Sequence, residues 1–167
     1  MEQPSSFYIM SKIVLLSCTK SKLDKPAQAQ DLYSASPMFK KTLEYSKTLK
    51  PDKTFILSAK HYLVPLTKIL KPYDKTLKNM SWEEKEEWAK EVIQQMKQNH
   101  LNLEKDQFIF LAGSEYINPL KPYITNIENP MVGKKLGERL KWLNTQLQNL
   151  KEILYNIKKL IHEYFTK

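Results

Sequence analysis

The feature that most constrains the fold is a set of three short apolar runs that are separated by helical segments. The first is Ile13-Val14-Leu15-Leu16, the second lies within Thr54–Ala59 and the third within Gln107–Ala112. Short runs that are apolar on both faces are typical of strands buried inside a parallel sheet. We therefore predict strands over residues 12–17, 54–59 and 107–112.

Helix start signals lie between these strands. Ser36-Pro37 supplies an N-cap and an N1 proline for a helix to about Thr48. Ser81 and Glu84 form a capping box that opens a helix to about Asn99. Strands that alternate with helices imply βαβ units. The predicted fold is therefore α/β, with three layers: a mainly parallel, Rossmann-like sheet flanked by helices.

The segments between these elements carry weaker signals. We predict irregular loops over residues 18–34 and through the stretch that contains Pro65 and Pro72. A short helix near residues 118–123 and a strand over residues 124–127 complete the prediction.

A heptad pattern closes the chain. From Leu136 to Tyr164, leucine and isoleucine recur in alternating steps of four and three residues, which predicts a long helix from about residue 134. Such a helix is about 45 Å long. We expect its first half to pack on the domain and the rest to form a homodimer, with nucleic-acid contact or another protein partner as alternatives. The predicted organisation is a flexible leader (1–11), an α/β domain (12–133) and this helix (134–167).

Composition excludes several classes of protein. Three glycines leave no room for a Walker-A or dinucleotide-binding loop, and one cysteine excludes an internal disulfide. No two of the three histidines have metal-ligand spacing, so we expect neither a metal nor a cofactor. No apolar run is long enough to span a membrane, which favours a cytoplasmic protein without membrane contact.

The net charge of +9 permits nucleic acid or a nucleotide as partner. However, 26 of the 27 basic residues are lysine, a composition typical of AT-rich genomes. The positions of individual lysines are therefore more informative about a binding partner than their number.

Each predicted strand runs into a polar motif. These motifs are Ser17-Cys18-Thr19-Lys20-Ser21-Lys22, Ser58-Ala59-Lys60-His61-Tyr62 and Ala112-Gly113-Ser114-Glu115-Tyr116. Parallel strands would bring them together at the carboxyl edge of the sheet, where open α/β sheets bind ligands. We predict the functional site there.

Two readings remain open for most of these residues. Lys20 and Lys22 could hold a phosphate or be ordinary solvated lysines. Cys18 could be a nucleophile of lowered pKa or a buried structural thiol. The Lys60-His61 pair could bind an anion or act in acid–base catalysis, or His61 could cap the strand end.

A second candidate is Pro72-Tyr73-Asp74. An aromatic ring beside a carboxylate suits a stacked nucleobase with an acid that orients water or stabilises a sugar cation. Alternatively, Tyr73 packs on the core and Asp74 starts a turn. Glu115 and Tyr116 offer a similar pair with the same two readings.

At these strand ends the chain resembles a family of small, uncharacterised bacterial and phage α/β proteins. Matching segments are Leu16–Lys22, Ser58–Leu63, Pro72–Asp74, Ser81–Trp88 and Leu111–Tyr116, with Gly133–Leu143 similar to the entry into a final helix. Thr19 stands where the family has serine, and Tyr62 where it has glycine. The first motif is distantly similar to the uracil-DNA-glycosylase-like domain of archaeosine synthase-type tRNA enzymes.

The resemblance implies an enzyme directed at a nucleobase or nucleotide, cleaving an N-glycosidic bond in modified nucleic acid or in a nucleotide. A non-catalytic nucleotide or nucleic-acid binding module, which could belong to a phage or a defence system, is the alternative. The expected catalytic residues are Asp74, His61 and Lys60. The expected substrate-binding residues are Ser17, Cys18, Lys20, Ser21, Lys22, Ser58, Tyr73, Gly113, Glu115 and Tyr116.

Overall fold

A computed structural model describes residues 8–166, which form seven strands and five α-helices. The strands β1 to β7 span Lys12–Ser17, Ala27–Gln28, Lys53–Ser58, Tyr62–Pro65, Ile69–Leu70, Gln107–Leu111 and Ile127–Glu128. The helices α1 to α5 span Ala29–Leu32, Pro37–Thr48, Trp82–Gln98, Ser114–Leu120 and Leu136–Phe165.

The main sheet has the order β4-β3-β1-β6-β7. β1 lies at its centre and pairs in parallel with β3 and β6, while β7 extends the parallel part and β4 pairs antiparallel with β3. The apolar run at residues 13–16 is fully buried because helices cover the sheet. The α/β fold and its three predicted central strands are thus confirmed.

The two crossover helices carry the start signals read from the sequence. The Ser36 hydroxyl accepts a hydrogen bond from the Phe39 amide at the start of α2. Ser81 and Glu84 form the reciprocal capping box of α3. The crossovers through α2 and α3 run in opposite directions along the sheet, so right-handed connections place the two helices on opposite faces.

Two loop predictions were wrong, and two predicted elements begin at other residues. The supposed loop 18–34 contains β2 and α1, and the supposed loop through Pro65 contains β4 and β5. β2 pairs with β5 in a separate two-stranded sheet. These strands have two to four residues, too few to show a hydrophobic period. The short helix after β6 begins at Ser114 rather than near 118, and the last strand starts only at Ile127.

The long final helix is confirmed, and its two halves differ. Leu143 and Leu147 are buried, and the Trp142 ring packs edge-on against Tyr45 of α2, with 5.1 Å between ring centres. From Lys151 to Thr166 every residue is exposed. The same apolar stripe therefore covers the domain first and then continues into solvent.

The predicted leader is described only from Tyr8, since residues 1–7 lie outside the described part. The Tyr8 hydroxyl donates to the carboxylate of Asp106, which also accepts the amides of Ser11 and Asn102. Among residues 8–166, no helix is long and apolar enough to cross a membrane.

Candidate functional site

Strand register brings the polar motifs to one edge. In the sheet, Ser17 lies beside Leu57 and Leu16 beside Leu111, so residues that follow these strands emerge side by side. The connection after β1 runs toward β3, whereas the connection after β6 runs toward β7. Such a reversal between neighbouring parallel strands opens a crevice at their carboxyl ends, and the motifs after β1 and β6 flank it.

A chain of three hydroxyl groups occupies this edge. The Tyr73 hydroxyl lies 2.7 Å from Ser58 Oγ and 2.7 Å from the hydroxyl of Tyr33. Ser58 and Tyr33 are completely buried, and Tyr73 packs against the core. The chain thus links β3, the turn after α1 and the Pro72-Tyr73-Asp74 segment.

The direction of this chain follows from its partners. Ser58 Oγ accepts the backbone amides of Lys60 and His61, at 3.2 and 2.9 Å. These bonds use both lone pairs of the oxygen, so the Ser58 hydroxyl donates to Tyr73. Tyr73 in turn donates to Tyr33. Tyr33 is the accepting end, and its own hydrogen remains for a further acceptor.

A second polar contact crosses the crevice. The Cys18 sulfur lies 3.2 Å from the hydroxyl of Tyr116, which α4 carries. The Tyr116 ring packs edge-on against Trp88, with ring centres 5.9 Å apart, and the Trp88 indole donates to the Ser58 carbonyl at 2.9 Å. Trp88 therefore joins the two halves of what we call the strand-end cluster: Cys18, Tyr33, Ser58, Tyr73, Trp88 and Tyr116.

Cationic side chains surround the Tyr73 ring. The Lys22 ammonium lies 4.2 Å and that of Lys60 5.8 Å from the ring centre. The His61 ring packs edge-on at 5.1 Å. A nucleobase stacked on the face that Lys22 covers would have to displace its ammonium group, which also donates to the Thr19 carbonyl at 2.9 Å.

Burial sets the protonation of these groups. It lowers the pKa of Lys22, against opposing effects of the Cys18 and Asp74 charges. Burial, with the positive charges of Lys60 and Lys68, lowers the pKa of His61 below 6.5, so its imidazole is neutral at pH 7.

The cluster tyrosines are held protonated. Burial raises the pKa of Tyr33 to about 12. It also raises the pKa of Tyr73 and Tyr116, and the nearby Cys18 adds to the effect in both. The phenol groups therefore act as hydrogen-bond donors at neutral pH.

The remaining predicted residues lie around the cluster. Lys20, Ser21 and Asp74 are exposed, and Ser17 is half-buried at the end of β1. The Glu115 carboxylate pairs with Lys85 at 2.6 Å, which makes it the outer partner of an ion pair. Gly113 is the N-cap residue of α4.

Tyr62 explains a departure from the family pattern. Its φ is +62°, a left-handed conformation that favours glycine. The backbone therefore keeps the geometry of the glycine that the resemblance led us to expect, at a cost of about 1 kcal/mol or more for a bulky residue.

Sequence reasoning missed two cluster members as site residues. Tyr33 lies in the stretch predicted as a loop, and Trp88 lies within the helix predicted from Ser81 to about Asn99, where it was given no role in the site. Their one available signal was that buried Tyr and Trp side chains need polar partners.

Two cavities lie near the carboxyl edge of the sheet. One, of about 530 Å³, lies beside Ala59 and Trp88 and is lined by Glu83, Glu84, Glu87 and Glu91, with Lys75 as its cation. The other, of about 660 Å³, lies beside Ser114 on the β6 side. Within the described residues, no group of three or more metal-binding side chains is present.

Fold and site together define an α/β protein with a tyrosine-rich polar cluster at the carboxyl edge of its parallel strands. The chain belongs to a family of unknown function, DUF6884, whose model matches residues 13–145. The match ends within α5, before the exposed half of that helix. No curated protein and no solved structure matches the sequence.

Proposed function

We propose that this protein is an enzyme that acts on a nucleobase or nucleotide and cleaves an N-glycosidic bond, in a modified nucleic acid or a nucleotide. The observation that carries the proposal is the strand-end cluster beside the crevice of the sheet. Its aromatic rings and phenolic donors lie beside the ammonium groups of Lys22 and Lys60 and near an exposed carboxylate, Asp74. These groups suit the base, sugar and phosphate of a nucleotide.

In this proposal the base takes the place of the Lys22 ammonium on the Tyr73 ring. Water then adds to C1′ of the sugar while the C1′–N bond breaks. The electron pair of that bond leaves with the base, which takes a proton from solvent, and Asp74 accepts the proton lost by water and then releases it to solvent. His61 and Lys60 stabilise the departing base, because a neutral imidazole and an ammonium group both donate hydrogen bonds.

Release of free base tests the proposal. The full chain is incubated with nucleosides, nucleotides and modified single- and double-stranded DNA and RNA, and products are separated by chromatography. We expect base release that Asp74→Asn and His61→Ala each reduce at least 100-fold, within the range for positioned acid–base groups. Asp31→Asn, the same change on exposed α1, is the control. Full activity in both site variants would overturn the assigned roles.

A binding module without catalysis is the second candidate. The two carboxylates predicted for the site favour it, because Asp74 is exposed and Glu115 is paired with Lys85. Nucleotide binding that Asp74→Asn leaves unchanged, with no product from any substrate, would select this candidate.

We also propose that the exposed half of α5 pairs with a second copy of the chain. The heptad spacing continues without interruption from Leu143 and Leu147, which are buried, to Leu154, Ile157 and Ile161, which are 57%, 46% and 52% exposed. A seam of this spacing buries its side chains only against another helix.

Light scattering measures the mass directly. We expect a dimer for the full chain and a monomer for Ile157→Lys/Ile161→Lys, because lysine in the seam opposes pairing. Tyr155→Lys, at an exposed position outside the seam, is the control and should remain a dimer. A monomeric full chain at high concentration would end the proposal.

A further inference from the structure

The cavity on the β6 side is lined by four cations and by no carboxylate. It has a volume of about 660 Å³ and lies between α4, the residues after β7 and the start of α5. Its cations are Lys121, Lys134, Lys135 and Arg139. A cleft lined by charges of one sign concentrates ions of the opposite sign.

Arg139, the single arginine of the chain, is held in a defined position. Its Nε donates to the Lys134 carbonyl at 2.7 Å, and its Nη1 faces Gly113, where an added Cβ would lie only 2.9 Å away. Within residues 8–166, no carboxylate oxygen forms an ion pair with its guanidinium. The terminal nitrogens thus keep their charge available for a ligand.

The start of α5 does not itself supply the attraction. The Glu138 carboxylate accepts the Lys135 amide at 2.7 Å and caps this end, so the attraction comes from side chains. Ser114 and Asn118 of α4 add neutral polar groups to the wall. A planar guanidinium with lysines and neutral donors is the typical environment of a bound phosphate.

We propose that this cavity binds a phosphate group of the substrate, so that the substrate is a nucleotide or nucleic acid rather than a nucleoside. The assignment to the substrate rests on the proposed function. Ser114, which lines the cavity, and Tyr116, which contacts Cys18, both lie in the first turn of α4, on different sides of the helix. The carboxylates of the acidic cavity beside Ala59 oppose the binding of phosphate there.

The single arginine makes the test direct. In a ¹⁵N–¹H spectrum of the full chain, the one Nε–H resonance of arginine reports on this cavity. Inorganic phosphate is titrated in a phosphate-free buffer at constant ionic strength. We expect a saturable shift of that resonance, and an absence of saturation up to tens of millimolar would overturn the proposal.

Variants give the size of the effect. Arg139→Gln should weaken phosphate binding, followed by calorimetry, about tenfold or more, since hydrogen bonds to charged groups contribute about 1.5–3 kcal/mol. Lys159→Gln, the same charge loss on exposed α5, should change it less than twofold. Gly113→Ala keeps every charge but displaces the guanidinium, and should weaken binding severalfold. Unchanged affinity in a folded Gly113→Ala or Arg139→Gln chain would overturn the proposal.

Two further ligands show whether the phosphate belongs to a nucleotide or to a nucleic acid. Together with the assay of base release, they also test the phosphate site and the proposed enzyme independently. Tighter binding of a 5′-mononucleotide than of its nucleoside, lost in Arg139→Gln, identifies a nucleotide. The same loss seen only with a short single-stranded oligonucleotide identifies nucleic acid. Phosphate binding that depends on Arg139, without base release from any substrate, supports the phosphate site and refutes the proposed cleavage of an N-glycosidic bond. Base release from nucleosides and nucleotides alike that Arg139→Gln does not change supports the proposed enzyme and refutes the phosphate site.

Discussion

Replacing Tyr73 with phenylalanine removes one oxygen atom from the middle of the hydroxyl chain and leaves the ring in place. The oxygen bonds to Ser58 and Tyr33, both at 2.7 Å. Each bond contributes about 0.5–1.5 kcal/mol net, and unpaired buried groups remain when it is lost. We expect Tyr73→Phe to lower the free energy of unfolding by about 2 kcal/mol, which corresponds to about 4–8 °C in Tm for a chain of this size.

The position of Tyr33 at the end of the hydroxyl chain predicts how Tyr33→Phe behaves. Tyr33→Phe removes a single bond and should lower the free energy of unfolding by about 1 kcal/mol. Once Tyr73 has lost its hydroxyl, that bond no longer exists, so the double variant should be little worse than Tyr73→Phe alone. Urea unfolding followed by tryptophan fluorescence measures all three. A loss below about 0.5 kcal/mol in Tyr73→Phe, or additive losses in the double variant, would refute this account.

Three further predictions follow from the same groups. Burial raises the pKa of Tyr33 to about 12, and Tyr73 and Tyr116 shift in the same direction, so the folded state resists ionisation. Their contribution to the free energy of unfolding should be fully present below pH 10 and be lost above it. Absorbance should show that these three of the nine tyrosines ionise only when the protein unfolds. Ionisation in the folded protein at lower pH would contradict their burial. Because the pKa of His61 is lowered below 6.5, the free energy of unfolding should fall as the pH drops from 7 to 5, and it should fall less in His61→Asn. The same pH dependence in both proteins would contradict this. Trp88→Phe should lower the free energy of unfolding by about 2 kcal/mol by leaving the Ser58 carbonyl without its donor, as urea unfolding would show; a change below 0.5 kcal/mol would contradict that role.

The central strands and the edge they form could be predicted from the sequence because continuous apolar runs and capping signals are local. The run from Ile13 to Leu16 is typical of a buried strand, and Ser81 with Glu84 identifies a helix start. The motifs at Cys18, Ser58 and Tyr116 then follow from the parallel arrangement.

Other parts of the site depend on contacts between distant residues. Tyr33 comes from a short turn without periodicity, and it joins Tyr73 across 40 positions of sequence. The position of Arg139 beside Gly113 depends on where α5 docks, which no local pattern specifies. The left-handed backbone at Tyr62 is unexpected for a bulky residue.

The most direct test of the proposed nucleotide site is an NMR titration of the full chain with ¹³C-labelled tyrosine. The added ligands are the common nucleoside 5′-monophosphates and short DNA and RNA strands. We predict that resonances of Tyr73 and Tyr116 shift and saturate together, while those of Tyr155 and Tyr164, on the exposed half of α5, stay unchanged. Shifts confined to Tyr155 and Tyr164, or no shift with any of these ligands, would contradict the claim that the strand-end cluster binds nucleotides.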